Sequence, residues 1–169
     1  MRSKYVFFRK DSNMFYNDKE NINHFTPYQV ELFSPTLGHL KEHMGDNKIY
    51  IFWFFVTRGR YKIVYIKHKN EIIHYTHILP QFFKFPFMHV SDLEIGPAWT
   101  DEQYRGEGIF TMVMKYILYH FKQDGRTFYA FTTTENISSQ KAMLKAGLDQ
   151  YASGYRTNFL GIYKMDSKI

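Results

Sequence analysis

A chain of 169 residues is long enough for one domain with a substantial core and too short for two ordinary ones. Hydrophobic residues make up 44% and aromatics 20%, which excludes global disorder, and the absence of cysteine excludes a disulfide framework, a thiolate nucleophile and any Cys-ligated zinc site. A net charge of +6 suits an anionic small ligand as well as it suits nucleic acid, but the charges form no long like-signed block, so no nucleic-acid partner is expected.

Taken in chain order, Val6-Phe7-Phe8 is followed at once by Arg9, Lys10 and Asp11, too short an apolar stretch for a signal peptide, and a cytosolic protein is expected. Residues 5–8 read as a strand, and residues 11–24 as a polar stretch over the surface. Between positions 27 and 44, Val30, Leu32, Phe33, Leu37 and Leu40 surround Pro35 and Gly38, which predicts two short helical pieces. The longest apolar run is the eight residues 49–56, less than half of a membrane span, so no membrane insertion is expected. Its periodicity does not separate a buried strand from a buried helix; it is read here as a helix, with Gly59 suited to a cap or a hairpin.

Residues 61–66 and 72–78 flank the turn-like Lys69-Asn70-Glu71 and predict a hairpin closed by Pro80. A Phe-rich loop follows, then an extended segment over residues 89–99. Ile109, Met112, Val113, Tyr116, Ile117 and Phe121 recur at helical spacing, and Asp124-Gly125 ends that helix. Residues 127–131 read as a strand, Asn136 as the N-cap of a second helix ending at Gly147, and residues 148–164 as two more strands. The order implies a single α/β (α+β) domain over residues 1–169 around one mixed sheet, present as monomer or homodimer. His39 and His43 share a helical face but lack further ligands, and His74 and His77 point to opposite faces of a strand, so no metal site is expected.

The segment Gln103, Tyr104, Arg105, Gly106, Glu107, Gly108 lies between the extended segment and the helix opening at Ile109. Unpaired amides and the positive end of a helix dipole surround an anion there. Gly106 and Gly108 let the backbone approach a diphosphate, and Arg105 adds charge-assisted hydrogen bonds. A P-loop needs Gly-Lys-Ser/Thr where Ile109-Phe110 follows Gly108, and a dinucleotide loop wants Gly or Ala where Thr111 stands, so neither fits.

These residues resemble the GNAT acyltransferases, whose Gln/Arg-x-x-Gly-x-Gly/Ala signature is matched by Gln103, Gly106 and Gly108. A second family pattern, Asn-x-x-Ala-x-x-x-Tyr-x-x-x-Gly-Phe, is matched by Asn136, Gly147 and Leu148 at its first, twelfth and thirteenth places. The resemblance covers residues 61–148 and implies a V-shaped sheet that holds acetyl-CoA as acyl donor. Pantetheine would lie between the strand near residues 92–99 and that near 128–132. Backbone at Pro97, Ala98 and Trp99 would pair with it, and Asn136 and Ser139 would reach it from the second helix. Lys141 and Lys145, one turn apart, read as a solvated helix face with the adenosine phosphates in reach.

Transfer to an amine requires a base. On an extended segment Asp92, Glu94 and Gly96 share one face beside the implied thioester, and Asp92 stands eleven residues before Gln103, where the histone-acetylating branch of the family carries a glutamate. His77 is a third candidate. The tyrosine expected seven residues after Asn136 is Met143, and Ser139 replaces the alanine; a thioether donates no proton, so Tyr151 or Tyr155 just downstream, or water, are the remaining acids. The acceptor is expected over residues 11–58, the Phe-rich loop and residues 148–165, where Trp53, Phe82, Phe83, Phe85, Phe87 and Trp99 suit a sugar or base face. Lys84-Phe85-Pro86-Phe87-Met88 before Ile95-Gly96-Pro97 resembles small GNAT enzymes that acetylate amino sugars of bacterial surface polysaccharides. The expected activity is acetyl-CoA-dependent N-acetylation of a small amine such as a nucleotide-linked amino sugar. The rival readings are a protein or peptide acetyltransferase and a non-catalytic CoA-binding module.

Overall fold

The computed structural model describes residues 3–14, 25–36 and 48–168. Its strands are β1 (Lys4–Asp11), β2 (Gln29–Phe33), β3 (Lys62–His68), β4 (Glu71–Pro80), β5 (Leu93–Thr100), β6 (Thr127–Thr133), β7 (Asp149–Arg156) and β8 (Tyr163–Lys168). Its helices are α1 (Lys48–Thr57), α2 (Ile109–His120) and α3 (Ile137–Lys145). All eight strands join one sheet in the order β2-β3-β4-β5-β6-β1-β7-β8, antiparallel except where β5 meets β6. No helix among the described residues is long and apolar enough to cross a membrane.

Local chemistry accounts for most boundaries. Lys69 and Asn70 both take positive φ, 51° and 69°, the backbone of a two-residue turn whose twist matches the β3–β4 hairpin. Residues 48–57 are a helix; Gly59 ends it at φ 70°, its amide donating to the Phe54 carbonyl at 2.7 Å. The Asn136 side chain accepts from the Ser139 amide at 3.1 Å and so caps α3, while Gly147 at φ 93° closes it.

The two faces of the sheet carry different cores. Ile109, Val113, Met114, Ile117 and Leu118 from α2 and Met143 from α3 pack on Phe8, Val64, Ile66, Ile78 and Phe128. On the opposite face Trp53 of α1 and Phe82, Phe85 and Met88 of the Phe-rich loop cover Tyr61, Ile63, Leu79 and Tyr129. β1 runs between β6 and β7, antiparallel to both, and contributes one fully buried ring to each core. Phe8 goes to the aliphatic side, and Phe7 meets Phe87, Phe131 and Tyr163.

Two expectations are corrected. Residues 29–33 form strand β2, not a helical piece, because the outer edge of β3 offers unpaired backbone groups that pair Val30 with Ile66 and Leu32 with Val64. The remaining residues of that expectation, 37–44 with His39 and His43, lie outside the described residues, as do 15–24. Residues 89–92 are a turn, with β5 starting only at Leu93, so Asp92 and Glu94 do not share a strand face.

The site is positioned by the junction of β5 and β6. They pair only at Leu93–Phe128 and Glu94–Tyr129, and beyond that point part. Against β4, Thr76 faces Ala98 and Ile78 faces Ile95, so Gly96 and Pro97 together bulge opposite His77.

Candidate active site

A cleft of about 920 Å³ opens where β5 and β6 part. One end is the turn before α2, with Tyr104, Arg105, Gly106, Gly108 and Ile109 on one side and Lys141 and Lys145 of α3 on the other. Its middle is walled by Pro97, Ala98, Trp99 and Thr100 of β5 and by Asn136, Ser139 and Met143. The far end is an aromatic chamber of Trp53, Phe82, Phe85, Phe131 and Tyr163, with Glu94 in its wall.

The turn is held from outside, which leaves its cleft side free. Gly106 and Gly108 take φ of 85° and 80°, and a Cβ on either would meet nothing within 4 Å. The first amides of α2 have no carbonyl a turn earlier to accept them and face this open space with the helix's positive end. Asp101 accepts from the Gln103 amide at 2.9 Å, and Arg105 donates to the Thr100 carbonyl at 3.2 Å and to Glu102 at 3.0 Å. The Tyr104 hydroxyl meets His68 Nδ1 at 2.9 Å, and the Tyr28 hydroxyl donates to Glu107. Gln103 and Glu107 thus brace the turn without lining the cleft, whereas every other residue expected to hold the cofactor lines it.

The titratable candidates separate sharply. Glu94 is 3% exposed, its Oε2 has no hydrogen-bond partner, and burial pushes its carboxyl well above the usual carboxylate range. Gly96 makes room for it: a Cβ there would lie 2.7 Å from Glu94 Oε1. Asp92 is also buried, but its carboxylate accepts from the His89 amide at 2.7 Å and the Thr127 amide at 2.9 Å. That ties the turn before β5 to the start of β6, and Asp92 does not line the cleft. His77 lies behind the bulge, Nδ1 2.9 Å from the Pro97 carbonyl and its ring 4.5 Å from that of Trp53. Since a carbonyl only accepts, Nδ1 carries the proton; burial lowers the ring to about 4, opposed by the bond to Pro97. Tyr151 stacks under the Arg9 guanidinium at 4.0 Å, and neither it nor Tyr155 lines the cleft.

Tyr163, Arg156 and Tyr5 also line the cleft, and no sequence motif marks them. Tyr163 and Arg156 face each other across the β7–β8 pair, and Tyr5 meets the Tyr163 ring at 5.2 Å. Burial, then the neighbouring Tyr5 and Glu94, hold the Tyr163 phenol up and protonated. No periodicity marks these residues; they reach the cleft because β1 is threaded between β6 and β7 and β8 returns antiparallel along β7. Among the described residues no three His, Asp or Glu side chains gather where a metal could be held.

Comparison with known proteins agrees with this architecture. Residues 25–148 match the model of the acetyltransferase (GNAT) family. An acetyltransferase of that family from Colwellia psychrerythraea superposes with a TM-score of 0.57 at 15% identity, over 90% of this chain and 54% of that one. A GNAT-family protein from Novosphingobium aromaticivorans gives 0.61 at 10% identity, over 90% and 62%. The chain therefore spans between about half and two thirds of the length of these two structures. An aminoglycoside N-acetyltransferase solved with a bisubstrate analogue of CoA gives 0.53 at 12%, over 72% of this chain and 92% of that one. At these identities the likeness is one of fold, and no curated protein matches in sequence.

Proposed function

The chain belongs to the GNAT acetyltransferase family, and from that premise we propose that it transfers the acetyl group of acetyl-CoA to the amine of a small molecule, an amino sugar carried on a nucleotide being the acceptor class that fits best. The observation that carries the proposal is the continuity of the cleft. It runs from a glycine turn open to a diphosphate, past an unpaired stretch of β5, to a chamber with one buried carboxyl in its wall.

In this reading the amides of Gly106, Gly108 and Ile109 hold the pyrophosphate, with Arg105, Lys141 and Lys145 around it. The pantetheine arm follows the edge of β5 at Pro97, Ala98 and Trp99, which no strand occupies, opposite Asn136 and Ser139. His77 is a positioning residue, holding the bulge through Pro97. The donor is served by the turn before α2, by β5 and by α3, while Trp53 of α1, the Phe-rich loop and residues 148–165 shape the acceptor side. The donor supplies a thioester whose carbonyl carbon the amine attacks.

Two protons must leave an entering ammonium. As that cation approaches, Glu94 releases its own proton to solvent, then takes one from the ammonium and frees the lone pair; the second ends on the departing sulfur. A nitrogen-to-sulfur transfer balances the reaction without a phenol on α3, so Met143 in the cleft is compatible with turnover. Burial among aromatic rings raises the carboxyl above the range of a solvated glutamate, which makes it the stronger base once ionised.

The test is release of free CoA thiol from acetyl-CoA over a panel of amino sugars, their nucleotide conjugates, peptides and simple amines. Amine-dependent release is expected, lowered on the order of 100-fold or more in Glu94→Gln. Full transfer by that variant would remove Glu94 as the base. Tight acetyl-CoA binding without transfer to any amine would make the chain a binding module.

A further inference from the structure

The chamber at the acceptor end holds charge that the transfer chemistry does not use. Lys84 and Arg156 both line it. Lys84, from the Phe-rich loop, is half-buried with Nζ 5.2 Å over the Phe52 ring, and its backbone carbonyl accepts from the Tyr163 amide at 3.0 Å. Arg156 ends β7, its guanidinium 5.9 Å from the centre of the Tyr163 ring and packed against Gly161, where a Cβ would lie 2.8 Å from Nε. Neither cation has a carboxylate partner among the described residues. Glu94 is the sole acid lining the cleft among them.

Two like charges thus line one cavity without a carboxylate counter-ion among the described residues, Lys84 half-buried and Arg156 exposed. Burial, and after it the nearby Arg156, disfavour the charged form of Lys84, which is the expected state of a cation pair that lacks its anion. Tyr163 is near enough to feel the charges of both Glu94 and Arg156, and the Arg156 guanidinium packs toward its ring. A molecule filling the chamber meets one carboxyl, two cations and aromatic rings.

From this juxtaposition we infer that the acceptor amine carries its own oxyanion, a phosphate or a carboxylate, which Lys84 and Arg156 bind while the amine is presented to Glu94. The planar guanidinium offers two parallel donors and the ammonium a point charge, a combination that suits a phosphate group. Rings lining the chamber then cover the apolar face of whatever links amine to anion. The inference rests on the acetyl-transfer reading and narrows its acceptor to doubly charged molecules, of which a nucleotide-linked amino sugar is one.

The experiment compares matched acceptors that differ only in the anion: glucosamine with glucosamine 1-phosphate, and phenethylamine with phenylalanine. Wild type is expected to show a KM at least tenfold lower for the anionic member of one pair, and which pair responds tells phosphate from carboxylate. In Lys84→Met/Arg156→Gln that ratio falls toward one, while the melting temperature shows the fold intact. Equal KM values within both pairs in wild type, or a preference that survives in the double variant, overturns the assignment. Should no amine turn over, the acetyl-transfer reading fails on its own. Titration of the same four compounds against the fluorescence of Trp53 and Trp99, both in the cleft wall, then decides the anion site, where equal affinities within each pair refute it.

Discussion

Lowering the pH from neutrality to about 5 perturbs three buried groups in opposite directions, and the sign of each contribution follows from its burial. Burial holds His74 and His77 at about 4, against an ordinary value of 6.5. In that window the unfolded chain takes up protons that the fold refuses. A depressed histidine therefore contributes stability that is present above 6.5 and is lost as pH falls toward 4, with a limiting slope of about 1.4 kcal/mol per pH unit per histidine. Glu94 behaves oppositely: burial raises its folded pKa, so the fold keeps a proton that the unfolded chain has released. Its contribution is present below the unfolded value and is lost as pH rises through the folded one, so acidification restores it at the same limiting slope while Glu94 stays protonated in the fold. Wild type should therefore lose stability on acidification less steeply than its two histidines alone would dictate. Glu94→Gln should steepen the loss toward the limiting value of about 2.7 kcal/mol per unit, since both histidines then act unopposed, and His77→Asn, whose amide can still donate to Pro97, should flatten it. Ordinary carboxylates titrate below about pH 5 and stay out of the window. Urea unfolding at several pH values followed by circular dichroism measures the slopes. One common slope for all three proteins would refute the assignment of these groups as buried in the ionisation states described.

Other consequences are equally specific. The acid limb of the transfer rate in wild type should lie above the usual carboxylate range and disappear in Glu94→Gln, read from kcat/KM against pH with saturating acetyl-CoA. Gly96→Ala should displace the Glu94 carboxyl, given the 2.7 Å approach at a φ of 149°, and lower kcat at least about tenfold for a stability cost of about 1–3 kcal/mol; unchanged kcat would detach the carboxyl from the chemistry. Phe8→Ala, which empties a fully buried site in the strand between β6 and β7, should cost about 3–5 kcal/mol in urea unfolding.

Signals carried within a few residues were legible in the sequence. Asn136 and Gly147 bound α3 because a side-chain cap and a positive φ are local devices, and Lys69-Asn70 gave the hairpin for the same reason. The Gly106 and Gly108 turn was recognisable because its neighbours, an extended segment and an amphipathic helix, are themselves periodic. Where long-range pairing decides, sequence reasoning failed. Val30 and Leu32 belong to a strand only because the edge of β3 recruits them. The placing of β1 between β6 and β7 joins residues more than a hundred positions apart, and with it Tyr5 and Tyr163 reach the cleft. Asp92 and Glu94 looked equivalent at a spacing of two. Two backbone amides claim the first, while Oε2 of the second is left without a partner, because the turn at 89–92 ends just before β5 begins.

Everything assigned to the far end of the cleft depends on acetyl-CoA occupying the near end. Calorimetric titration of the chain with acetyl-CoA, beside Gly106→Val/Gly108→Val, tests that occupancy without any acceptor. A branched side chain at φ near 80° cannot be accommodated without moving the turn. Saturable one-to-one binding by wild type, lost or weakened at least about tenfold in a variant that still melts cooperatively, is the expected result. Absence of binding by wild type, or equal binding by the variant, would contradict the placement of the donor on which the account stands.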